Sequence, residues 1–432
     1  MKTVSIIGGG ESGVGAALLA QQNDYRVFVS DFGIIPDKYK SELIKYNIPF
    51  EEEGHDFERI EASDVIIKSP GISDTVPLVK YLISKNHKCI SEIEFASWFY
   101  TGKIIGVTGS NGKSTTVSLI YHLLKEADIN VGLGGNIGYA FSRLLIELKN
   151  YECLVLELSS FQLDDVYRFR SDTSVILNVT ADHLDRYNFD INSYARAKWR
   201  LVECVSEEGM VILNSDDVLT QALSSETLIE NEVILISGEN PEDSLLKDNG
   251  DLFEVNLIGK HNLFNTAVGV AIARDYGISD NVIQSGLLSF EALEHRLEKV
   301  ATVNDVIYIN DSKATNIDAV KYALSAVKSN LIWIAGGTDK GNDYSELIDI
   351  VEGKVKMLIC LAVDCEKLKS SFGEVVPHIM ETQSMEEAVR LAYENATENE
   401  VVLLSPACAS FDLFDNYMHR GDEFKKEVFK IK

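Results

Sequence analysis

Three stretches of this chain repeat one local pattern: a short apolar run, a glycine turn, then a segment with helical periodicity. They are VSIIGGGESGVGAALLAQQ from Val4, IIGVTGSNGKSTTVSLIYHLL from Ile104 and LIWIAGGTDKGNDYSELI from Leu331. A strand that passes through glycine into a helix is the building unit of a parallel α/β sheet. Its wide spacing over 432 residues predicts three α/β domains and not one large sheet. The expected domains are residues 1–92, 93–297 and 298–432. The first boundary falls near Glu92, and the second follows Leu293–Leu297 (LEHRL), where ATVNDVIYIND begins a new strand.

The middle unit carries the sharpest chemistry. Thr108 leads into Gly109, Ser110, Asn111, Gly112, Lys113, Ser114 and Thr115, with an apolar strand before and a helix after. This is the setting of a phosphate-binding loop, in which backbone N–H groups surround phosphate oxygens. Lys113 brings a positive charge to the outer phosphates, and the Ser114 hydroxyl can reach Mg²⁺. The strict spacing would require glycine at position 107, which is Val107. Net charge sharpens the point. At −27 the chain repels nucleic-acid backbones, so anionic ligands must be held by local features.

Downstream, Glu157 interrupts the apolar run Cys153–Leu158, and Ser174–Val179 reads as a further strand running into TADHLDRY. An acidic group in a buried strand needs a partner or a cation, although a strand-end glutamate facing solvent is the plainer alternative. His183 by itself reads as a surface histidine, and Lys198 as a solvated helix lysine. At the amino terminus, Gly8-x-Gly10-x-x-Gly13 with Asp31 after the second strand fits a dinucleotide turn. Residues 4–31 alone therefore permit an NAD-dependent oxidoreductase. The phosphate loop alone permits a nucleotide-driven switch or assembly protein. No cleavable leader and no apolar run of about 20 residues is visible, so membrane insertion is not expected. Cys89, Cys153, Cys204, Cys360, Cys365 and Cys408 form no CxxC pair, which predicts free thiols in a reducing cytoplasm.

Several motifs agree in order with one family. TGSNGKST, GNIG at Gly135–Gly138, LELSSFQL, NVTADHLDRY, YARAK, GKHNLFN, EHR, NDSKATN and LLSPACASFD make the chain resemble the Mur ligases from end to end. LELSSFQL, NDSKATN and SPACASFD resemble the D-glutamate-adding branch, and no DNPR stretch marks the diamino-acid-adding one. The resemblance implies an α/β fold with a Rossmann-like first domain, a P-loop ATPase-type centre and a Rossmann-like last domain. It implies an ATP-dependent amide ligase acting through an acyl phosphate in peptidoglycan precursor synthesis, and so in cell shape and division. Its substrates would be UDP-N-acetylmuramoyl-L-alanine, D-glutamate and ATP, and the enzyme a cytoplasmic monomer.

The family's residues carry over by position. Ser114 and Glu157 resemble ligands of a first Mg²⁺, and His183 of a second. Lys198 resembles a lysine carbamylated by CO₂, an anionic oxygen donor for the metal. With Lys113, these form the expected catalytic set. Asn265, Arg296, Asp311 and Lys313 resemble nucleotide contacts. Gly10, Glu11, Ser12, Asp31, Phe32, Ser69, Gly71, Asn136 and His183 fall where the UDP-sugar binds. Lys313, Thr315, Lys340, Ser410 and Tyr417 fall where D-glutamate binds. Tyr417 departs from the family's phenylalanine but retains an aromatic ring.

Overall fold

The computed structural model describes all residues except 147–149, 258, 292 and 340. The chain forms two compact units, Met1–Glu254 with Phe264–Leu288, and Val255–Leu263 with Ser289–Lys432.

The first unit holds two parallel sheets. One is built from β1 (Thr3–Ile7), β2 (Arg26–Ser30), β3 (Phe50–Glu51), β4 (Val65–Lys68) and β5 (Cys89–Ile90), in the order β3-β2-β1-β4-β5. The other comprises β6 (Lys103–Thr108), β7 (Val131–Gly135), β8 (Cys153–Glu157), β9 (Ser171–Ile176), β10 (Val205–Asn214) and β11 (Glu232–Ile236), ordered β11-β10-β9-β6-β8-β7. Their central strands are near-continuous apolar runs because both faces are covered: Val4, Ile6 and Ile7 are buried, as is all of β8. Strand order reverses beside β1 in the first sheet and beside β6 in the second. Each reversal opens a crevice at the carboxyl ends of neighbouring strands, where open α/β sheets bind ligands.

The two sheets share a core. One apolar cluster runs from Val4, Val14 and Val29 through Ile93, Phe95 and Phe141 to Leu154, Leu156 and Leu201. Polar ties reinforce it. Glu94, buried, accepts the N–H groups of Tyr167, Arg168 and Phe169 on one oxygen, each at 2.8 Å, and the Trp98 indole at 2.9 Å on the other. Lys68, also buried, reaches Asp165 at 3.0 Å. This shared packing is why two sheets make a single compact unit.

The second unit is one six-stranded sheet. Its strands are β12 (Glu298–Val303), β13 (Val306–Asn310), β14 (Leu331–Ala335), β15 (Val355–Leu361), β16 (His378–Thr382) and β17 (Val401–Leu404), ordered β12-β13-β17-β14-β15-β16. Only the β12–β13 hairpin is antiparallel among these pairings. Separate apolar clusters cover its two faces, one around Trp333, Leu358 and Phe372, the other around Tyr308, Ile334 and Phe424.

One expected strand, Ser174–Val179, is shifted three residues toward the amino terminus, to Ser171–Ile176. It leaves the ladder after Ile176, because Asn178 turns its side chain onto the phosphate loop.

Candidate functional site

The phosphate loop joins β6 to the helix Lys113–Glu126. Gly112 holds the left-handed conformation at φ 86°, which a side chain resists, and a Cβ there would meet Asn265 Oδ1 at 2.7 Å. Asn265 thus packs directly against the loop. Asn178 braces it from β9. Its Oδ1 accepts the N–H groups of Ser110 (3.1 Å) and Asn111 (2.8 Å), and its Nδ2 donates to the Asn111 carbonyl (3.1 Å). Ser110 Oγ donates to the Thr180 carbonyl and accepts from the Thr180 N–H, both at 2.9 Å. Ser114 and Thr115 are buried in the first helical turn.

Two lysines converge on this loop. Lys113 Nζ donates to the carbonyls of Gly109 (2.7 Å) and Ser110 (2.9 Å), and Lys198 Nζ donates to the same Gly109 carbonyl at 2.8 Å. Lys198 is 1% exposed, with Tyr194 beneath its amine at 4.4 Å. Burial first, and the charge of Lys113 second, push its pKa well below the ordinary lysine value. The helix carrying it, Ile191–Glu203, is capped by Asp190, which accepts the N–H groups of Asn192 and Ser193.

Glu157 ends β8 beside the loop strand and is 3% exposed, so the buried reading of this carboxylate is the observed one. Its Oε1 accepts from Asn136 Nδ2 at 2.9 Å. His183 stands in a left-handed turn at φ 52°, about half exposed, with its Nε2 3.7 Å from Asp182 and its ring 5.4 Å from Phe161. Among the described residues no group of three or more His, Cys, Asp or Glu side chains is arranged to hold a metal. Magnesium does not require one. It keeps several waters and takes one or two carboxylates together with substrate phosphates. A buried strand-end carboxylate and the Ser114 hydroxyl at a phosphate loop suit that mode.

The first sheet presents a second anion-type turn. Gly13 lies so close to the turn that a Cβ would fall 1.9 Å from the Gly8 carbonyl. The helix Glu11–Gln22 starts from Gly10 with no side chain capping its first N–H groups. Asp31 fixes this turn. Its Oδ2 accepts from Gly9 N–H at 2.6 Å and its Oδ1 from Gly33 N–H at 2.8 Å. Ser69 lies across β4, with its hydroxyl 3.4 Å from the Gly8 carbonyl. Arg186 donates to the carbonyls of Gly71 (3.0 Å) and Ile72 (3.2 Å), so the HLDRY segment holds the Ser69–Gly71 loop. Phe32 is 76% exposed beside this turn, a large apolar ring facing solvent.

The remaining expected residues belong to the second unit. Asp311 follows β13, is buried, and has Ser405 Oγ at 2.8 Å and the Leu297 N–H at 3.2 Å. Burial pushes its carboxyl up to about 7, against the pull of those bonds and of Arg296. Lys313 Nζ sits 5.4 Å over the Tyr417 ring, and Ser312 Oγ donates to the Tyr417 carbonyl at 2.8 Å. The Thr315 N–H bonds the Lys313 carbonyl at 3.0 Å, and Ser410 is buried. Lys340 lies outside the described residues.

Sequence reading missed four residues that hold these loops. Asn178 and Arg186 were inside recognised motifs but had no role assigned. Glu94 was not singled out. Arg420 sits in a charged helix, yet it is 1% exposed and donates to the carbonyls of Ser312, Gly336 and Cys408. A polar residue just past an apolar strand beside a phosphate loop could have flagged Asn178. No local signal marks Arg420.

The chain matches known proteins along its whole length. Residues 3–87 match the MurD N-terminal domain, 107–273 the Mur ligase middle domain, and 295–408 the Mur ligase glutamate ligase domain. It is 44% identical to the UDP-N-acetylmuramoylalanine–D-glutamate ligase of Christiangramia forsetii, over 99% of each chain. It is 42% identical to the protein of the same description from Porphyromonas gingivalis, over 99% of this chain and 98% of that one. Among solved structures it resembles the UDP-N-acetylmuramate–alanine ligase of Thermotoga maritima in fold, with a TM-score of 0.62 at 17% identity over the whole of both chains.

Proposed function

The chain belongs to the Mur ligase family and is an ATP-dependent ligase adding D-glutamate to UDP-N-acetylmuramoylalanine in peptidoglycan synthesis; we propose that it works through an acyl phosphate, on a carbamylated Lys198. Amide formation from a free carboxylate in water is uphill, so activation must come first. The alanyl carboxylate attacks the γ-phosphorus of ATP, and ADP leaves. The D-glutamate amine then attacks the acyl carbon, and the tetrahedral intermediate expels phosphate as the amine loses its proton.

Residues 93–297 hold ATP, with the N–H groups of Gly109–Thr115 around the phosphates and Lys113 neutralising charge as the γ-phosphoryl group moves. Asn265, Arg296, Asp311 and Lys313 contact the nucleotide. Residues 1–92 hold the UDP moiety on the Gly10–Ser12 turn, with Asp31, Phe32, Ser69 and Gly71 around it and Asn136 and His183 toward the sugar. Residues 298–432 take D-glutamate on Lys313, Thr315, Lys340, Ser410 and Tyr417. Two Mg²⁺ ions would be held by Ser114 and Glu157, and by His183 and the Lys198 carbamate. Bound there, they supply positive charge to the phosphoryl oxygens.

The observation that carries the carbamate is the pair of lysines on one carbonyl. Two ammonium groups at the Gly109 oxygen would repel, and burial together with the charge of Lys113 favours the neutral amine on Lys198. A neutral amine is the form that attacks CO₂, giving a carbamate and releasing a proton. The carbamate nitrogen keeps one N–H, so the bond to Gly109 can survive. No helix among the described residues is long and apolar enough to cross a membrane. All six cysteines are buried and unpaired with one another, which supports a reducing cytoplasm. We take the working form to be a monomer.

The test is phosphate release with UDP-N-acetylmuramoyl-L-alanine, ATP and a panel of D- and L-amino acids. Release should require both the UDP-sugar and D-glutamate. Lys113→Ala should abolish release yet keep UDP-sugar affinity. Release with ATP alone, or normal turnover in that variant, would overturn the assignment.

A further inference from the structure

Glu11 is an odd residue for its position. It is the first residue of the helix whose uncapped N-terminus, on the reading above, receives the UDP diphosphate. A carboxylate in a first turn ordinarily stabilises the helix by opposing its dipole. Where the same N-terminus must take a diphosphate, that carboxylate competes with the ligand. The structure supplies a counter-charge from elsewhere in the chain. Arg143 lies in the helix Phe141–Ile146, which packs against the first helix; a Cβ on Gly15 would meet Ser142 Oγ at 2.6 Å and Arg143 Cγ at 3.1 Å. Its Nε is 2.8 Å from Glu11 Oε1, and its two terminal nitrogens reach Glu42 at 2.8 and 3.3 Å. The Arg143 side chain is 15% exposed and that of Glu11 30%, so the carboxylate stands at the edge of solvent, where salt can reach it.

We propose that Arg143 is a positioning residue of the UDP-sugar site, neutralising Glu11 so that a turn bearing a carboxylate can accept a diphosphate. Arg143 need not touch the ligand. Clamped between Glu42 and Glu11, it cancels one of two negative charges and keeps the Glu11 side chain turned toward the neighbouring helix. The same helix follows the loop of Asn136, whose amide holds Glu157, so the clamp also sets the UDP turn against the loop that reaches the metal-type carboxylate. The inference rests on the diphosphate occupying the Gly10–Ser12 turn.

The experiment measures the affinity of the full-length protein for UDP-N-acetylmuramoyl-L-alanine by titration calorimetry, with KM and kcat alongside. Arg143→Met should weaken binding roughly 10-fold, as expected for an unneutralised charge near a dianion, with the KM for ATP little changed. Arg143→Lys, which keeps the charge, should bind nearly as the unaltered protein does, and it guards against a fold defect in the methionine variant. Glu11→Gln should tighten binding about 2-fold. The double variant Glu11→Gln/Arg143→Met should regain most of the loss, and added salt should shrink the deficit of Arg143→Met. A double variant as weak as Arg143→Met, or an Arg143→Met that binds normally, overturns the proposal. Gly10→Asp tests the underlying reading separately. A Cβ at Gly10 meets nothing within 4 Å, and aspartate is a good helix N-cap, so this variant should fold well and lose UDP-sugar affinity. If Gly10→Asp binds normally, the diphosphate is not at this turn. If it binds poorly while the double variant fails to recover, the turn reading stands and the Arg143 inference alone falls.

Discussion

Lys198 is costly to the fold and, on the function proposed above, required for the chemistry. Its amine is buried beside Lys113, so folding favours the neutral form. A lysine pKa lowered by folding costs stability at every pH below the ordinary lysine value, so the penalty is present at neutral pH and fades as pH rises toward that value. Lys198→Met should therefore melt higher than the unaltered protein at pH 7 while losing ligase activity. Lys198→Ala should be inactive as well, and short carboxylic acids such as acetate should restore part of its activity by filling the vacated space. Bicarbonate should not, since no amine remains to modify. Full activity in Lys198→Ala would sink the carbamate reading. A second buried group makes a similar statement about pH. Glu92 is 1% exposed, with Oε1 2.5 Å from the Ser142 N–H, and burial pushes its carboxyl from 4.5 up to about 7. The protonated form suits the fold, so its contribution is intact below pH 4.5 and is lost as pH rises through 7, by a total on the order of 3 kcal/mol. Glu92→Gln should remove that dependence. Its melting temperature should exceed that of the unaltered protein at pH 8 and approach it at pH 5, measured by circular dichroism. Parallel pH profiles for the two proteins would refute this.

At the scale of elements, the strand–glycine–helix units were legible because everything they need is local. An apolar run, a positive-φ glycine and a helix start all lie within a few residues of one another, as in Lys103–Glu126. The burial of Glu157 was legible as one of two alternatives, since an acid in an apolar strand stands out, and the structure does bury it. What could not be read were the braces between elements. Asn178 reaches back 67 and 68 residues to the phosphate loop, and Arg186 reaches 114 and 115 residues to the Ser69–Gly71 loop. Neither partner is implied by periodicity. The end of β9 was misjudged for the same reason, because Asn178 exchanges a strand position for loop bonds. Asn178→Ala would leave the Asn111 N–H and carbonyl without their side-chain partner, a cost of about 1–3 kcal/mol for each group left without water, while the Ser110 N–H keeps the Asn178 backbone carbonyl at 2.9 Å. The loop would lose its preset shape. We expect the KM for ATP to rise about 10-fold or more with UDP-sugar affinity unchanged, while Asn178→Asp, which keeps the two accepting bonds, should do better. Equal loss in both variants would mean that the side-chain oxygen is not what shapes the loop.

For the whole molecule, two compact units mean two cores that can melt as separate cooperative blocks. The sequence points to three glycine-turn units, and three sheets are present. The first two sheets nevertheless share one apolar cluster, reaching from Val4 to Leu201. The second unit depends on Arg420 in a way its sequence hides. Among the described residues the guanidinium has no carboxylate partner in a hydrogen bond; it satisfies the carbonyls of Ser312, Gly336 and Cys408, each in a loop after a different strand. Burial lowers its pKa to about 10, yet it stays charged at neutral pH and serves as a five-donor clip. Arg420→Met keeps the apolar volume and removes the donors, leaving buried carbonyls unpaired at about 1–3 kcal/mol apiece. Scanning calorimetry of the full-length protein should then show the transition of the second unit shifted down by several degrees, with that of the first unit in place. UDP-N-acetylmuramoyl-L-alanine should raise the first-unit transition in both proteins, because a ligand stabilises the unit that binds it. The same variant should raise the KM for D-glutamate more than that for the UDP-sugar, since Ser312 and Cys408 flank Lys313 and Ser410. A single transition that moves as a whole on Arg420→Met would show the two units unfolding as one block, with the Arg420 clip supporting all of it.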